Sequence, residues 1–446
     1  MAAIREVLAR LNKAADAFTQ ALDSQENNEH SSLREPDPWY NLSLLSARAL
    51  EAQGELIATA EAIIRLAKGP QACLAGYSDK SAEMGTLKAL IKLGVPEKVP
   101  LKGSVTYREL SAALPIAPEL LQRLVRLASL AGFLVEDQDG AVRHSAMSSV
   151  FLRDPPAADA ARFLFDVDMR ASNYFYDSIK LDPSGRDNCC CPVSLAFQKD
   201  DKSEAQAHPL TIWDILERDA ALKAQFHSSM VAVLASPSHA LKHVPNAYDW
   251  GKFKTLVDVG GSQGQASLAI AEKYENIHII VQDLPEVVEM LQPSRATEAA
   301  RRLDFQAHDF FTEQPTVADG YFLRQVLHDW PDKEVQTIIK NLVPACRSGT
   351  KLLVMDIVLP APGSISWFME KQLRSVDVSM FSLCSAKERT VEEFRTLVES
   401  CDARFRFEEV CTPPGSGTSL LSWVFDSGSG NARADGIPVN TERGCQ

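Results

Sequence analysis

The chain has 446 residues, 45% apolar and 24% charged, enough to build ordinary cores in two or more packed units. A formal net charge of −13 sets no basic field for phosphates, and no stretch approaches the roughly 20 apolar residues that span a bilayer. Nucleic acid and membrane are therefore not expected partners, and a cytoplasmic location is expected. Nine cysteines, among them the run Cys189, Cys190 and Cys191, show no paired CxxC spacing. Neighbouring side chains of an extended segment face opposite ways, which suits no tetrahedral metal, so free thiols are expected.

The first element is an amphipathic helix at the N-terminus, followed by a polar, Pro-containing linker at residues 25–38 that closes a first segment, 1–40. From Asn41 to Leu74, Leu42, Leu45, Leu50, Leu56, Ile57, Ile63, Ile64 and Leu66 recur at helical spacing, with a break at Gly69 and Pro70. Between Met84 and Leu152 the sequence predicts three helices, the last being PELLQRLVRLASLAGF. A hairpin follows, FLVED and AVRHS about an Asp-Gly turn. Three helices and a hairpin form a winged-helix pattern, which would suit DNA. The third helix has few cations beyond Arg123 and Arg126 and is apolar over much of its surface, so residues 41–155 are expected to dimerise instead. Residues 156–250 read as connecting helices.

After Trp250 strands and helices alternate. TLVDVG, IHIIVQD, RLDFQAHDF, GYFLRQV and KLLVMDIVL are each followed by a connecting segment, and RFRFEEV and SLLSWVF close as a hairpin. Residues 251–426 therefore predict an α/β fold, a Rossmann-like doubly wound sheet of seven strands with its ligand at the strands' carboxyl ends. The mainly α winged-helix unit precedes it. Residues 427–446 are rich in Gly, Asn and Ser and are expected to be disordered.

The chemistry-bearing residues sit at those strand ends. Gly260, Gly261 and Gly264 lie between the first strand and its helix, where a ligand can approach the backbone closely. They do not form GxGxxG, which disfavours a dinucleotide. They also fit GxSxG through Ser262, but a hydrolase elbow follows several strands and is served by a late histidine, whereas the last histidine here is His328. Asp283, at the end of the second strand, can accept from both hydroxyls of a ribose, or cap the next helix. Asp309 and Phe310 can hold an adenine by its amino group and its face. Acids and glycines at successive strand ends imply a nucleoside without phosphates, and S-adenosylmethionine has that form.

The motifs DVGGSQG, VQDLP, HDFF, FLRQVLHDWPD and AKERT, in this order, resemble those of the plant and fungal small-molecule O-methyltransferases of the caffeate and flavonoid type. The resemblance implies S-adenosylmethionine as cofactor, a homodimer built on the N-terminal winged-helix domain, and residues 156–250 as connector and substrate pocket. It places cofactor contacts at Gly260, Asp283, Leu284, Asp309, Phe310 and Arg324, the last standing where the family often has lysine. It places substrate contacts at Phe226, Met230 and Met380, whose thioethers can contact an aromatic ring. His328 takes the position of the general base, flanked by Asp356 and Glu388. Asp356 is one methylene shorter than the family's usual glutamate. The implied reaction is methylation of a phenolic or enolic hydroxyl on an aromatic secondary metabolite, polyketide-derived by expectation, and it requires no metal. Related fungal proteins instead catalyse dehydration or pericyclic ring closure, but His328, Asp329 and Glu388 are all retained here, which favours methyl transfer.

Overall fold

The computed structural model describes residues 2–23, 46–198, 210–290 and 297–428. The expected linker at 25–38 and the tail from residue 429 lie outside the described residues. Two compact units emerge, one of Met1–Arg170, Asp214–Ser236 and Ser366–Phe368, the other of Ala171–Trp213, Pro237–Ile365 and Met369–Gln446.

In the first unit the helix Ala2–Asp23 packs on the helix Ala47–Lys92 through Ala21, Leu22, Ala49 and Leu50, and Arg10 pairs with Glu55 at 2.8 Å. Gly69 takes φ 71°, a left-handed conformation, and Pro70 restarts the helix with a fixed φ. The predicted break is thus a kink, and the helix beyond it runs on to Lys92. The short helix Tyr107–Ala113 starts on a capping box between Thr106 and Glu109, and Pro118–Leu130 follows. Strands β1 (Val105–Thr106), β2 (Leu134–Glu136) and β3 (Ala141–His144) pair in the order β1-β3-β2. Leu90, Leu110, Leu121, Val125, Leu134 and Val142 form the core of this winged-helix assembly. His144 is buried there, with Nδ1 2.9 Å from the Ser148 hydroxyl and Nε2 3.0 Å from the Val99 carbonyl, so it is structural. The first of the connecting segments is a succession of short helices. Helix Pro155–Phe163 passes into a π-helical stretch, Leu164–Asp168, before shorter helices continue.

The second unit carries seven strands: β4 (Thr255–Val259), β5 (His278–Asp283), β6 (Leu303–Ala307), β7 (Gly320–Arg324), β8 (Lys351–Asp356), β9 (Phe405–Cys411) and β10 (Ser419–Phe425). Their order is β6-β5-β4-β7-β8-β10-β9, parallel from β6 to β8, with β10 antiparallel to both neighbours. Alternate residues feed opposite faces: Val257, Val259, Tyr321, Leu323 and Val354 join one core, while Leu256, Phe322, Leu353 and Met355 join the other. The chain order reverses between β4 and β7, so a crevice opens beyond their carboxyl ends.

Seven described cysteines are free thiols, as expected, but Cys411 is disulfide-bonded. Sequence spacing could not show this, because bridging depends on Cα proximity in the folded chain. No helix among the described residues is long and apolar enough to cross a membrane. Leu121 has no exposed surface, so Leu121→Ala should destabilise the chain by about 3 kcal/mol in urea unfolding, through lost burial and the cavity left behind.

Candidate active site

The loop after β4 is shaped by what cannot fit. A Cβ on Gly261 would lie 2.7 Å from the Asp258 carboxyl and 2.8 Å from Val281, while Gly260 combines φ 70° with a Cβ position 3.0 Å from Val326. The amides of Gly260 and Gly261 both donate to the Gln282 carbonyl, at 2.8 and 3.0 Å. Ser262 adopts φ 51°, a strained value for a non-glycine residue, and its N–H donates to Asp283 Oδ2 at 2.8 Å. Beneath the loop, burial pushes the Asp258 carboxyl up to about 6, against the pull of Ser267 and Arg324.

Asp283 ends β5, and its Oδ1 accepts from the Leu284 amide at 2.8 Å. Each carboxylate oxygen carries two lone pairs, so two backbone amides leave acceptor capacity free. Leu284 is 45% exposed, a bare apolar side chain beside that acid. Asp309 and Phe310 follow β6. Asp309 Oδ1 accepts from the Phe311 amide, and the Phe310 ring meets Phe311 and Trp330 edge-on at 5.0 and 5.9 Å. Arg324 ends β7, donates Nη2 to the His239 carbonyl at 3.0 Å, and keeps a buried Nε with no partner among the described residues. These residues, with Gly260, converge on the carboxyl ends of β4 to β7.

His328 follows β7 in the one-turn segment Leu327–Asp329, beyond Gln325, which takes φ 51°. Its Nδ1 lies 2.9 Å from Glu388 Oε1, and the Glu388 side chain is fully buried. Its Nε2 lies 3.6 Å from Asp329, beyond hydrogen-bond reach. Burial by itself lowers the imidazole pKa, but Asp329, the Glu388 hydrogen bond, Asp356 and the Glu388 charge together raise it from 6.5 to about 10. The imidazolium therefore stabilises the fold fully below pH 6.5, and that contribution is lost as pH rises through about 10. Burial raises the Asp329, Asp356 and Glu388 carboxyls, and His328 pulls all three back.

Asp356 does not contact the imidazole as Glu388 does. It ends β8 fully buried, and neither carboxylate oxygen has a side-chain partner among the described residues; burial raises its pKa, and the charges of His328, Arg389 and Arg324, with the Gln325 amide, offset that only in part. Glu388 does not pair with its neighbour Arg389. Arg389, fully buried, donates instead to Asp332 at 2.8 Å and to the carbonyls of Leu327 and Trp330 at 2.9 and 2.8 Å. Local sequence pattern gave no signal for that clamp, because its acceptors are backbone carbonyls some 60 residues away.

Met380, which belongs to this same unit, is half-buried on the helix Trp367–Cys384. Phe226 and Met230 belong to the other unit, on the helix Ala220–Ala235. Phe226 packs on Phe163 with ring centroids 5.4 Å apart, and Met230 is 38% exposed.

The O-methyltransferase domain family matches residues 194–404, and the O-methyltransferase dimerisation domain family matches residues 76–154. The chain is 57% identical over 429 residues to O-methyltransferase FrzF of Cladobotryum sp, spanning 96% of this chain and 100% of that one. It is 41% identical over 421 residues to the 6-hydroxytryprostatin B O-methyltransferase of Neosartorya fischeri, spanning 94% and 98% of the two chains. Among solved structures, OxaC in complex with SAH and oxaline shares the fold at a TM-score of 0.73 and 21% identity, over 95% of this chain and 99% of that one. Sequence, domain content and fold agree, and the chain belongs to the O-methyltransferase family.

Proposed function

We propose that the chain methylates a hydroxyl of an aromatic secondary metabolite with S-adenosylmethionine, His328 acting as the base. The observation that carries this reading is the 2.9 Å contact between His328 Nδ1 and the buried Glu388. A carboxylate there accepts Nδ1–H, which fixes the tautomer and leaves Nε2 as the atom that takes the acceptor's proton.

The residues at the strand ends fit the cofactor. Acids and glycines rather than lysines suit a nucleoside without phosphates, and the buried Arg324 Nε, without a partner among the described residues, is a donor for the cofactor's carboxylate. Asp283 has acceptor capacity for ribose hydroxyls, while exposed Leu284 and the Phe310 ring offer apolar surface to a purine, beside Asp309. Bound there, S-adenosylmethionine supplies a methyl group on a positively charged sulfur. The protein aligns the acceptor oxygen and removes its proton.

Base strength decides how easily that happens. An ordinary imidazole at about 6.5 facing a phenol at about 10 is uphill by roughly 5 kcal/mol. An imidazole raised to about 10 matches the phenol, at the cost of a smaller neutral fraction near pH 7. Phe226, Met230 and Met380 are assigned to the acceptor's ring. The relative named for 6-hydroxytryprostatin B supports a hydroxylated secondary metabolite as the acceptor class. Methylation is favoured over ring closure, since the named relatives are O-methyltransferases.

A second copy of the chain is assigned to residues 76–154, where Tyr77 is 70% and Leu130 87% exposed. The mass of two chains is expected in light scattering at micromolar concentration, and a monomer would overturn the homodimer.

His328→Ala should keep cofactor affinity within a few-fold while turnover falls by about 100-fold or more. The measurement uses methyl-labelled cofactor with a panel of phenolic polyketides, flavonoids, hydroxycinnamates and 6-hydroxytryprostatin B. Parental rates in the variant on weakly acidic phenols would remove His328 from the mechanism.

The parental kcat/KM should rise with pH toward about 10, as neutral imidazole accumulates. Glu388→Gln removes the negative acceptor, so with the same acceptor molecule the midpoint should move down by about one pH unit or more. An unmoved midpoint would show that another group controls the profile.

A further inference from the structure

Below the cofactor crevice lies a buried amide cluster that nothing above assigns. Gln282, 1% exposed, and Gln314, 5% exposed, exchange two reciprocal side-chain hydrogen bonds, each 2.8 Å long. Gln282 Nε2 also donates to Gln306 Oε1 on the neighbouring strand at 2.9 Å, and Gln306 accepts from the Thr316 hydroxyl. Gln314 continues the chain of contacts, since its backbone N–H donates to the Asn341 carbonyl at 2.9 Å. Asn341 Nδ2 in turn donates to the Phe310 carbonyl at 3.1 Å.

The two ends of the cluster, Gln282 and Asn341, each meet a residue assigned to the cofactor. Gln282 immediately precedes Asp283, and its main-chain carbonyl takes the amides of both Gly260 and Gly261. The His308 amide donates to the Asp283 carbonyl, tying β5 to the segment that carries Asp309 and Phe310. Apolar side chains could fill the same interior at modest cost in stability, because removing both partners cancels the reciprocal bonds, Gln306 keeps the Thr316 hydroxyl, and only the part-buried Thr316 amide, which donates to Gln314 Oε1 at 3.1 Å, loses its acceptor. What they could not supply is direction. A reciprocal amide pair fixes both distance and angle between the β5 end and the connection from β6 to β7.

We propose that the Gln282–Gln314 pair, linked through Asn341 to Phe310, is a positioning device for the cofactor crevice. It holds the Asp283 end and the Phe310 end at a fixed spacing. This rests on the cofactor reading above, and it assigns these amides no contact with the acceptor.

The double variant Gln282→Leu/Gln314→Leu tests it. Thermal unfolding should stay cooperative, with a midpoint within a few degrees of the parent. Affinity for S-adenosylhomocysteine, measured by calorimetry, should fall by about tenfold or more. The KM for S-adenosylmethionine should rise by a similar factor while kcat at saturation stays within about threefold. A merely structural pair would instead lower the unfolding midpoint and leave the KM of the folded fraction unchanged. Affinity within twofold of the parent in the folded variant would overturn the proposal. Should the double variant not fold, Asn341→Ala decides, because it cuts only the Phe310 link. Weakening by about threefold or more supports the proposal, and unchanged affinity overturns it. A parent chain that binds no S-adenosylhomocysteine would instead overturn the cofactor reading itself.

Discussion

The candidate base is held by two consecutive residues. Arg389 is fully buried, and its guanidinium takes the carbonyls of Leu327 and Trp330 together with Asp332. A buried guanidinium is costly unless its donors are satisfied, and here they close around the segment that carries His328. Glu388, one residue earlier, contacts the imidazole itself. One neighbour thus fixes the backbone on both sides of the histidine and the other fixes its ring. The pair is anchored in turn to β8's extension, where the Leu359 amide donates to the Arg389 carbonyl at 2.9 Å.

That arrangement concentrates charge where water is excluded. His328 sits among Asp329, Asp356 and Glu388, and burial pushes each carboxyl toward its neutral form while the imidazole pulls it back. The balance raises the basicity of His328 rather than pairing it with one acid alone. Asp356 fits this account better than a hydrogen-bonding role. With no side-chain partner on either oxygen among the described residues, it acts through space on His328, Arg389 and Arg324.

The doubly wound sheet was legible because buried parallel strands read as short apolar runs between helices, and the Asp-Gly turn marked the small hairpin. Gly260 and Asp283 were legible for a related reason, since each lies at a strand's carboxyl end, whereas Arg324 and His328 were singled out by the resemblance of their motif to the family's. Asp356 was legible as a position but not as a contact, since one methylene decides whether an oxygen reaches a ring nitrogen. Arg389 and Gln314 were not legible at all. Their partners are far away in sequence, and nothing in a local pattern distinguishes a buried glutamine or arginine from a solvated one. The disulfide at Cys411 escaped notice for the same reason.

Backbone strain follows the same map. Among the described residues, only Ser262, Gln325 and Ser385 combine a side chain with positive φ, at 51°, 51° and 47°. Each stands at a joint of the site. Ser262 presents its amide to Asp283, Gln325 turns the chain from β7 toward His328, and Ser385 lies three residues before Glu388, with its hydroxyl on the Asp187 carbonyl at 2.9 Å. Such conformations cost of order 1–3 kcal/mol each and persist only where surrounding structure over-determines them. The determinants are visible for two of them. The Gln325 amide donates to the Met355 carbonyl at 3.0 Å, and the Ser385 amide to the Phe381 carbonyl at 3.2 Å. The sheet and the helix Trp367–Cys384 thus act as rigid supports, and strain gathers at the short connections between them. Glycine at these three positions would relieve the strain but widen the range of backbone conformations, and with it the spread of His328 and Glu388 positions. Retaining a side chain there trades stability for a narrower distribution of the distance on which the proton transfer depends.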